Sequence, residues 1–117
     1  MSRLSTHVLD TANGVPAAGV RVELSVFEEG AWRSVKTVQT NAEGRTDQPL
    51  LEGGAFKTGV YRLEFFVGDY FRGRGMALPE PPFVDRVPLQ FGIAEADGHY
   101  HVPLLASPWS YSTYRGS

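Results

Sequence analysis

The sequence predicts an all-β fold, a sandwich of short strands, on three observations. Turn-forming pairs punctuate the chain at short intervals: Asn13-Gly14, Glu29-Gly30, Glu43-Gly44, Gly53-Gly54, Gly68-Asp69 and Asp97-Gly98. The segments between them are rich in β-branched and aromatic residues, and several alternate apolar and polar side chains with a period of two. Helical periodicity is weak throughout, leaving room for at most one short helix. About seven or eight such segments, read as antiparallel strands, make a β-sandwich.

The first segment is Leu4-Ser5-Thr6-His7-Val8-Leu9-Asp10, in which Leu4, Thr6 and Val8 share one face and His7 and Leu9 the other. The clearest strand runs from Val20 to Phe27, where Val20, Val22, Leu24 and Val26 alternate with Arg21, Glu23 and Ser25. Such a strand turns one face to the core and one to water. Tyr61, Leu63, Phe65 and Val67 repeat the pattern against Arg62 and Glu64. The best helical candidate is Tyr70 to Met76, despite Gly73 and Gly75, followed by a stiff loop carrying Pro79, Pro81 and Pro82. Val87, Leu89, Phe91 and Ile93 form the next apolar stripe, and Pro88 puts that strand at or near a sheet edge because it lacks a ladder donor. In the strand from His99 to Leu105, Tyr100, Val102 and Leu104 share one face, and His99 and His101 point the other way. A final strand accounts for Trp109 to Thr113 but leaves Tyr114-Arg115-Gly116-Ser117 unexplained.

Composition bounds the chemistry. The 117 residues, 42% of them hydrophobic, fit a single domain, residues 1–117, with no internal repeat or linker. A chain this long buries roughly two-thirds of its unfolded surface. There is no cysteine, which removes disulfides, thiolate metal sites and thiol catalysis together. Any nucleophile is therefore a hydroxyl, a carboxylate, a histidine or an activated water. The net charge of -2 and the scattered Lys and Arg argue against nucleic acid as a partner. No apolar run approaches a membrane span, and Met1-Ser2-Arg3-Leu4 lacks the features of a secretory signal, so the expected compartment is the cytoplasm.

The three histidines titrate closest to neutrality and are the natural place to look for chemistry. The bland reading is that they are ordinary surface residues. A His-x-His pair on a strand also suits zinc, but a metal site needs three or four ligands. His7 supplies a third only if the first strand lies beside the His99 strand. Arg45, after the Glu43-Gly44 turn, is read most simply as a solvated residue, although its fork of donors suits planar, carbonyl-rich anions. Chain ends normally carry little information, yet this one is dense in aromatics and hydroxyls to its last residue.

These features together resemble a known family, the 5-hydroxyisourate hydrolases, the enzymatic branch of the transthyretin-like proteins. The resemblance spans nearly the whole chain. It is strongest in Leu4 to Asp10, in Thr40 to Arg45 with Thr46-Asp47, and from Tyr100-His101-Val102-Pro103-Leu104-Leu105 to Ser117. Tyr114-Arg115-Gly116-Ser117 is its most specific mark, while Met76 to Glu80 matches only loosely. The resemblance implies a transthyretin-like sandwich of two four-stranded sheets. Four copies would assemble as a dimer of dimers, with active sites between the dimers. The implied reaction is hydrolytic ring opening of 5-hydroxyisourate to 2-oxo-4-hydroxy-4-carboxy-5-ureidoimidazoline, with neither cofactor nor metal. The implied catalytic residues are His7, Arg45, His101 and Ser117, with Tyr114, Arg115 and Gly116 binding substrate; His99 lies outside the family's set. Ser117 would contribute its hydroxyl and an ionised carboxylate, the latter with an ordinary pKa of about 3.3–3.7.

Three rivals remain open at this point. A transthyretin-type carrier would bind a small ligand without turning it over, but would leave His7, Arg45 and the Tyr114 to Ser117 ending without a purpose. An adhesion or carbohydrate-binding sandwich would use Trp32, Trp109 and Tyr111. A metal-dependent hydrolase is the third.

Overall fold

A computed structural model describes residues 2–116, so the roles expected of Ser117 lie outside the described residues. The long strands are β1 (Arg3–Asp10), β3 (Arg21–Glu28), β4 (Ala31–Gln39), β6 (Gly59–Phe66), β7 (Arg86–Ile93) and β8 (His99–Ala106). Three short ones accompany them: β2 (Val15–Pro16), β5 (Leu51–Glu52) and β9 (Tyr111–Thr113). One sheet has the order β4-β3-β6-β7; the other runs β2-β1-β8-β9, with β5 also paired to β1. The second sheet thus holds five strands and not four. Because β8 occupies one edge of β1, β2 and β5 share the other edge, at Leu9–Asp10 and Arg3–Leu4 respectively.

Alternation explains the layers. The even-numbered residues of β1 (Leu4, Thr6, Val8, Asp10) are buried, as are Val22, Leu24 and Val26 of β3 and Tyr61, Leu63 and Phe65 of β6. Tyr100, Val102 and Leu104 of β8 complete the apolar interior between the sheets. β7 lies at a sheet edge, as its Pro88 requires. β4 shows little alternation, and a bulge opposite Leu24/Ser25 interrupts its register with β3.

Two features depart from the expectation of antiparallel strands and a helix from Tyr70 to Met76. β1 runs parallel to β8, Arg3 opposite His99 through to Asp10 opposite Ala106. The two strands come from nearly opposite ends of the chain, so no tight hairpin constrains their direction. The helix α1 spans Val67–Gly73 and starts three residues early. Val67, the last member of the β6 apolar stripe, begins the helix because its N–H and that of Gly68 donate to the Asp85 carbonyl, both at 3.0 Å. Val67 and Phe71, one turn apart, are buried against the core.

α1 is tied to β1 through Asp10. The Tyr70 hydroxyl and the Asn13 side-chain amide both donate to Asp10 Oδ2 at 2.8 Å, and the Ala12 and Asn13 N–H groups donate to Oδ1. Burial pushes the Asp10 carboxyl up, but the hydrogen bonds from Asn13, Tyr70 and Ala12 outweigh it and hold the carboxyl below its ordinary value. Burial and the neighbouring carboxylate push the Tyr70 hydroxyl up to about 12, so it remains a donor.

Candidate active site

The odd-numbered residues of β1 and β8 face away from the core, and the parallel register sets them side by side. Arg3 lies opposite His99, Ser5 opposite His101 and His7 opposite Pro103. The two histidine-bearing strands are therefore neighbours, as a shared site requires. Ser5 Oγ lies 2.8 Å from His101 Nδ1, and Arg3 donates through Nε to His99 Nε2 at 3.2 Å.

A loop brings the arginine. Arg45 makes an isolated antiparallel bridge with His7 on the edge of β1 left open between β5 and β2. The turn before it is closed internally: Gly44 N–H donates to the Asn41 carbonyl, Asn41 N–H to the Arg45 carbonyl, and the Asn41 side chain accepts from the Glu43 and Arg45 amides. Gly44 has φ +76°, and a side chain there would run into the Val8 carbonyl oxygen, so the sharp approach to β1 needs glycine. Val8 N–H donates to the Gly44 carbonyl at 2.8 Å, and His7 Nε2–H donates to the Glu43 carbonyl at 2.9 Å. A carbonyl can only accept, which fixes the neutral His7 as the tautomer with Nδ1 free.

The tail comes from the other side. β9 pairs with β8 through Leu104 opposite Thr113, and the bridge of His101 to Gly116 continues that register past the end of β9. Gly116 N–H donates to the His101 carbonyl at 2.8 Å, and its Cα passes so close to the His101 ring that a Cβ would lie 2.6 Å from Cδ2. The same register puts Tyr114 on the face of His101 and Arg115 on the opposite one. The Arg115 guanidinium lies 4.0 Å from the centre of the Tyr100 ring, with Nη2 3.4 Å from the His99 carbonyl. His7, Arg45, His101 and Gly116 are thus brought together, whereas Arg115 grips the core-facing side of β8.

Burial is the largest influence on His101 and lowers its pKa; Arg45, His7 and His99 lower it further. The ring is therefore neutral at neutral pH and able to accept a proton. A cavity of about 230 Å³ opens beside it, lined by Arg3, Ser5, Thr6, Arg45, Thr46, Asp47 and Pro49. A larger cavity of about 670 Å³ lies across β8, walled by Leu89, Phe91, Tyr100 and Val102 among others, and holds no histidine. Neither cavity is lined by an imidazole, but Arg45 and Ser5, the hydrogen-bond partner of His101, line the smaller one, which makes it the candidate site, whereas Tyr114 and Arg115 line the larger. Among the described residues no cluster of three or more His, Asp or Glu is arranged to hold a metal ion.

Sequence reasoning passed over Ser5 and Arg3. The signal was present, since Ser5 and Arg3 lie two and four residues before His7, on the face that strand alternation gives to His7.

Fold and site together define a β-sandwich enzyme whose imidazoles and guanidinium share the outer face of one sheet, a donor set suited to hydrolysis. The chain belongs to the HIUase/Transthyretin family, whose model matches residues 4–116. It is 59% identical over 115 residues to 5-hydroxyisourate hydrolase 2 of Rhizobium meliloti, covering 98% of this chain and 96% of that one. The solved 5-hydroxyisourate hydrolase of Klebsiella pneumoniae superposes with a TM-score of 0.80 at 38% identity, with 100% of both chains covered. A solved (S)-allantoin synthase gives 0.93 at 47% identity, covering 98% of this chain and 43% of that longer one. No helix among the described residues is long and apolar enough to cross a membrane.

Proposed function

We propose that this chain hydrolyses 5-hydroxyisourate to 2-oxo-4-hydroxy-4-carboxy-5-ureidoimidazoline at the β1/β8 face, as a homotetramer. The observation that carries the reading is the convergence of His7, Arg45, His101 and Gly116 from four chain segments on one face. The identity to named hydrolases over the whole chain supports the same substrate.

The chemistry follows from the groups present. His101, neutral at working pH, takes a proton from water as the resulting hydroxide adds to the ring carbonyl carbon. The oxygen of that carbonyl becomes an oxyanion, and the Arg45 guanidinium stabilises it with charge-assisted hydrogen bonds. The intermediate collapses by breaking the acyl C–N bond, and the nitrogen leaves with the proton returned by His101. His7, with Nε2 committed to the Glu43 carbonyl, orients the substrate through its free Nδ1. On the tail side, Gly116 lies against the His101 ring and bonds to its carbonyl. A positioned general base contributes typically about 10²–10⁴-fold, which goes far with a substrate already unstable in water.

Generating 5-hydroxyisourate with urate oxidase and following its decay spectrophotometrically tests this. The chain should accelerate the decay, with chelators having no effect. No acceleration would leave a carrier as the better account. Full activity in His7→Ala or His101→Ala would remove the assigned roles and keep the family.

A further inference from the structure

Two imidazoles share this face, and their second nitrogens are held differently. His7 Nε2 meets a backbone carbonyl, a partner that can only accept. His101 Nδ1 meets the hydroxyl of Ser5, a partner that can accept or donate, at 2.8 Å in a part-buried setting. No hydrogen bond among the described residues engages His101 Nε2.

We propose that Ser5 is a positioning residue for the reaction: its Oγ accepts a hydrogen bond from His101 Nδ1–H and thereby leaves the Nε2 lone pair as the base. The inference rests on the reading of His101 as the general base and names the group that makes it one. An imidazole that takes a proton on Nε2 must already carry one on Nδ1, and the imidazolium donates from both nitrogens. Only an acceptor at Nδ1 serves both states. Ser5 fills that role while the strand ladder fixes its place, because it is the direct partner of His101 in the β1–β8 register. The Cβ atoms of both residues are set by backbone pairing, so the ring is oriented without help from a mobile loop. Among the described residues, His7 from β1, Arg45 from the loop and His99 from its own strand, itself bonded to Arg3, oppose positive charge on His101, and the carboxylate-bearing Asp47 lines the adjoining cavity. Among the described residues, the Ser5 oxygen is the acceptor that meets the His101 ring and favours its protonated form directly.

The test compares Ser5→Ala and Ser5→Thr in the full chain, with kinetics and ¹⁵N NMR of the His101 ring. Wild-type His101 should show the Nδ1–H tautomer when neutral. Ser5→Ala should lose about tenfold in kcat with KM changed less than about twofold, as expected for a lost charge-assisted hydrogen bond. It should also mix the tautomers and move the acid limb of the rate profile to lower pH, because the imidazolium loses an acceptor. Ser5→Thr, which keeps the hydroxyl and suits a strand, should restore most of the rate. The proposal is overturned by an Nε2–H tautomer in the wild type. It is equally overturned by an unaltered kcat and tautomer in Ser5→Ala, or by a loss that Ser5→Thr does not rescue. If the wild type failed to turn over 5-hydroxyisourate, the functional reading would fall, while the NMR comparison would still decide whether Ser5 sets the His101 tautomer.

Discussion

Gly116→Ala is the sharpest perturbation of the proposed site, because it adds one methyl group where the structure has no room for it. The new Cβ would lie 2.6 Å from His101 Cδ2, with 3.3 Å to Cγ and 3.4 Å to the His101 Cβ. Ordinary contact begins near 3.4 Å, so the ring or the tail must yield by about 0.8 Å. The ring is held at Nδ1 by Ser5 and the tail at Gly116 N–H by the His101 carbonyl, so either adjustment strains a hydrogen bond. A misplacement of about 1 Å in a reacting group costs on the order of 10²-fold in rate. Stability should change little, because the tail is exposed and its packing is light. The predicted result is a kcat for 5-hydroxyisourate lowered about 30- to 100-fold in the urate oxidase-coupled assay, with melting within about 2 °C of the wild type. A variant retaining more than half of the wild-type kcat would show that the tail does not stand against the base, and the site as assembled would be wrong on that side.

Three further predictions follow from other parts of the structure. Arg45→Lys keeps a charge but loses the planar fork, and should lower kcat/KM about 10- to 100-fold in the same assay, whereas equal activity would reduce Arg45 to a diffuse positive charge. Because burial, Arg45, His7 and His99 depress the His101 pKa below its ordinary 6.5, the rate should stay level through neutrality and fall only below pH 6.5. Removing one depressing charge with Arg45→Ala should move that acid limb upward, measured as the residual rate against pH. Asp10→Ala deletes the acceptor of Tyr70, Asn13 and two backbone amides, and should destabilise the fold by about 2–4 kcal/mol in denaturant unfolding. Since the folded-state Asp10 carboxyl lies below its ordinary 3.8, its contribution is complete above that pH and is lost as pH falls through the folded value. The wild type should therefore lose its advantage over the variant in strong acid.

The strands were legible where one face is buried. Val20 to Val26, Tyr61 to Phe65 and Tyr100 to Leu104 each display the stripe that fills the interior, and the same alternation turned His7, His99 and His101 outward. β2 and β5, two residues each, carry too few side chains to show any period, and β4 buries too little of either face. The helix boundary slipped because Val67 satisfies both the stripe of β6 and the buried face of α1. Within the site, residue types could be read but neighbours could not. Nothing local to Ser5 reveals His101, which lies 96 positions away and meets it through a parallel pairing. For Arg115, motif membership suggests a substrate contact but does not reveal its neighbour: the guanidinium lies 4.0 Å from the centre of the Tyr100 ring.

That register explains why the site is precise although two of its parts come from a loop and a tail. A strand that slips by one residue exchanges its faces entirely. In β1 such a slip would drive Arg3, Ser5 and His7 into the interior and expose Leu4, Thr6 and Val8, three side chains that are almost completely buried. Exposing even the two aliphatic ones forfeits roughly 3–6 kcal/mol, and burying an imidazole and a guanidinium adds several more. The core therefore holds Ser5 opposite His101 more firmly than their own hydrogen bond does. Both appended parts are then fastened to this fixed pair of strands by backbone bonds, Val8 N–H to the Gly44 carbonyl on one edge and Gly116 N–H to the His101 carbonyl on the other. Arg45 and the tail inherit their positions from strands that cannot shift without unfolding, which is how one small sandwich sets four chain segments around a single imidazole.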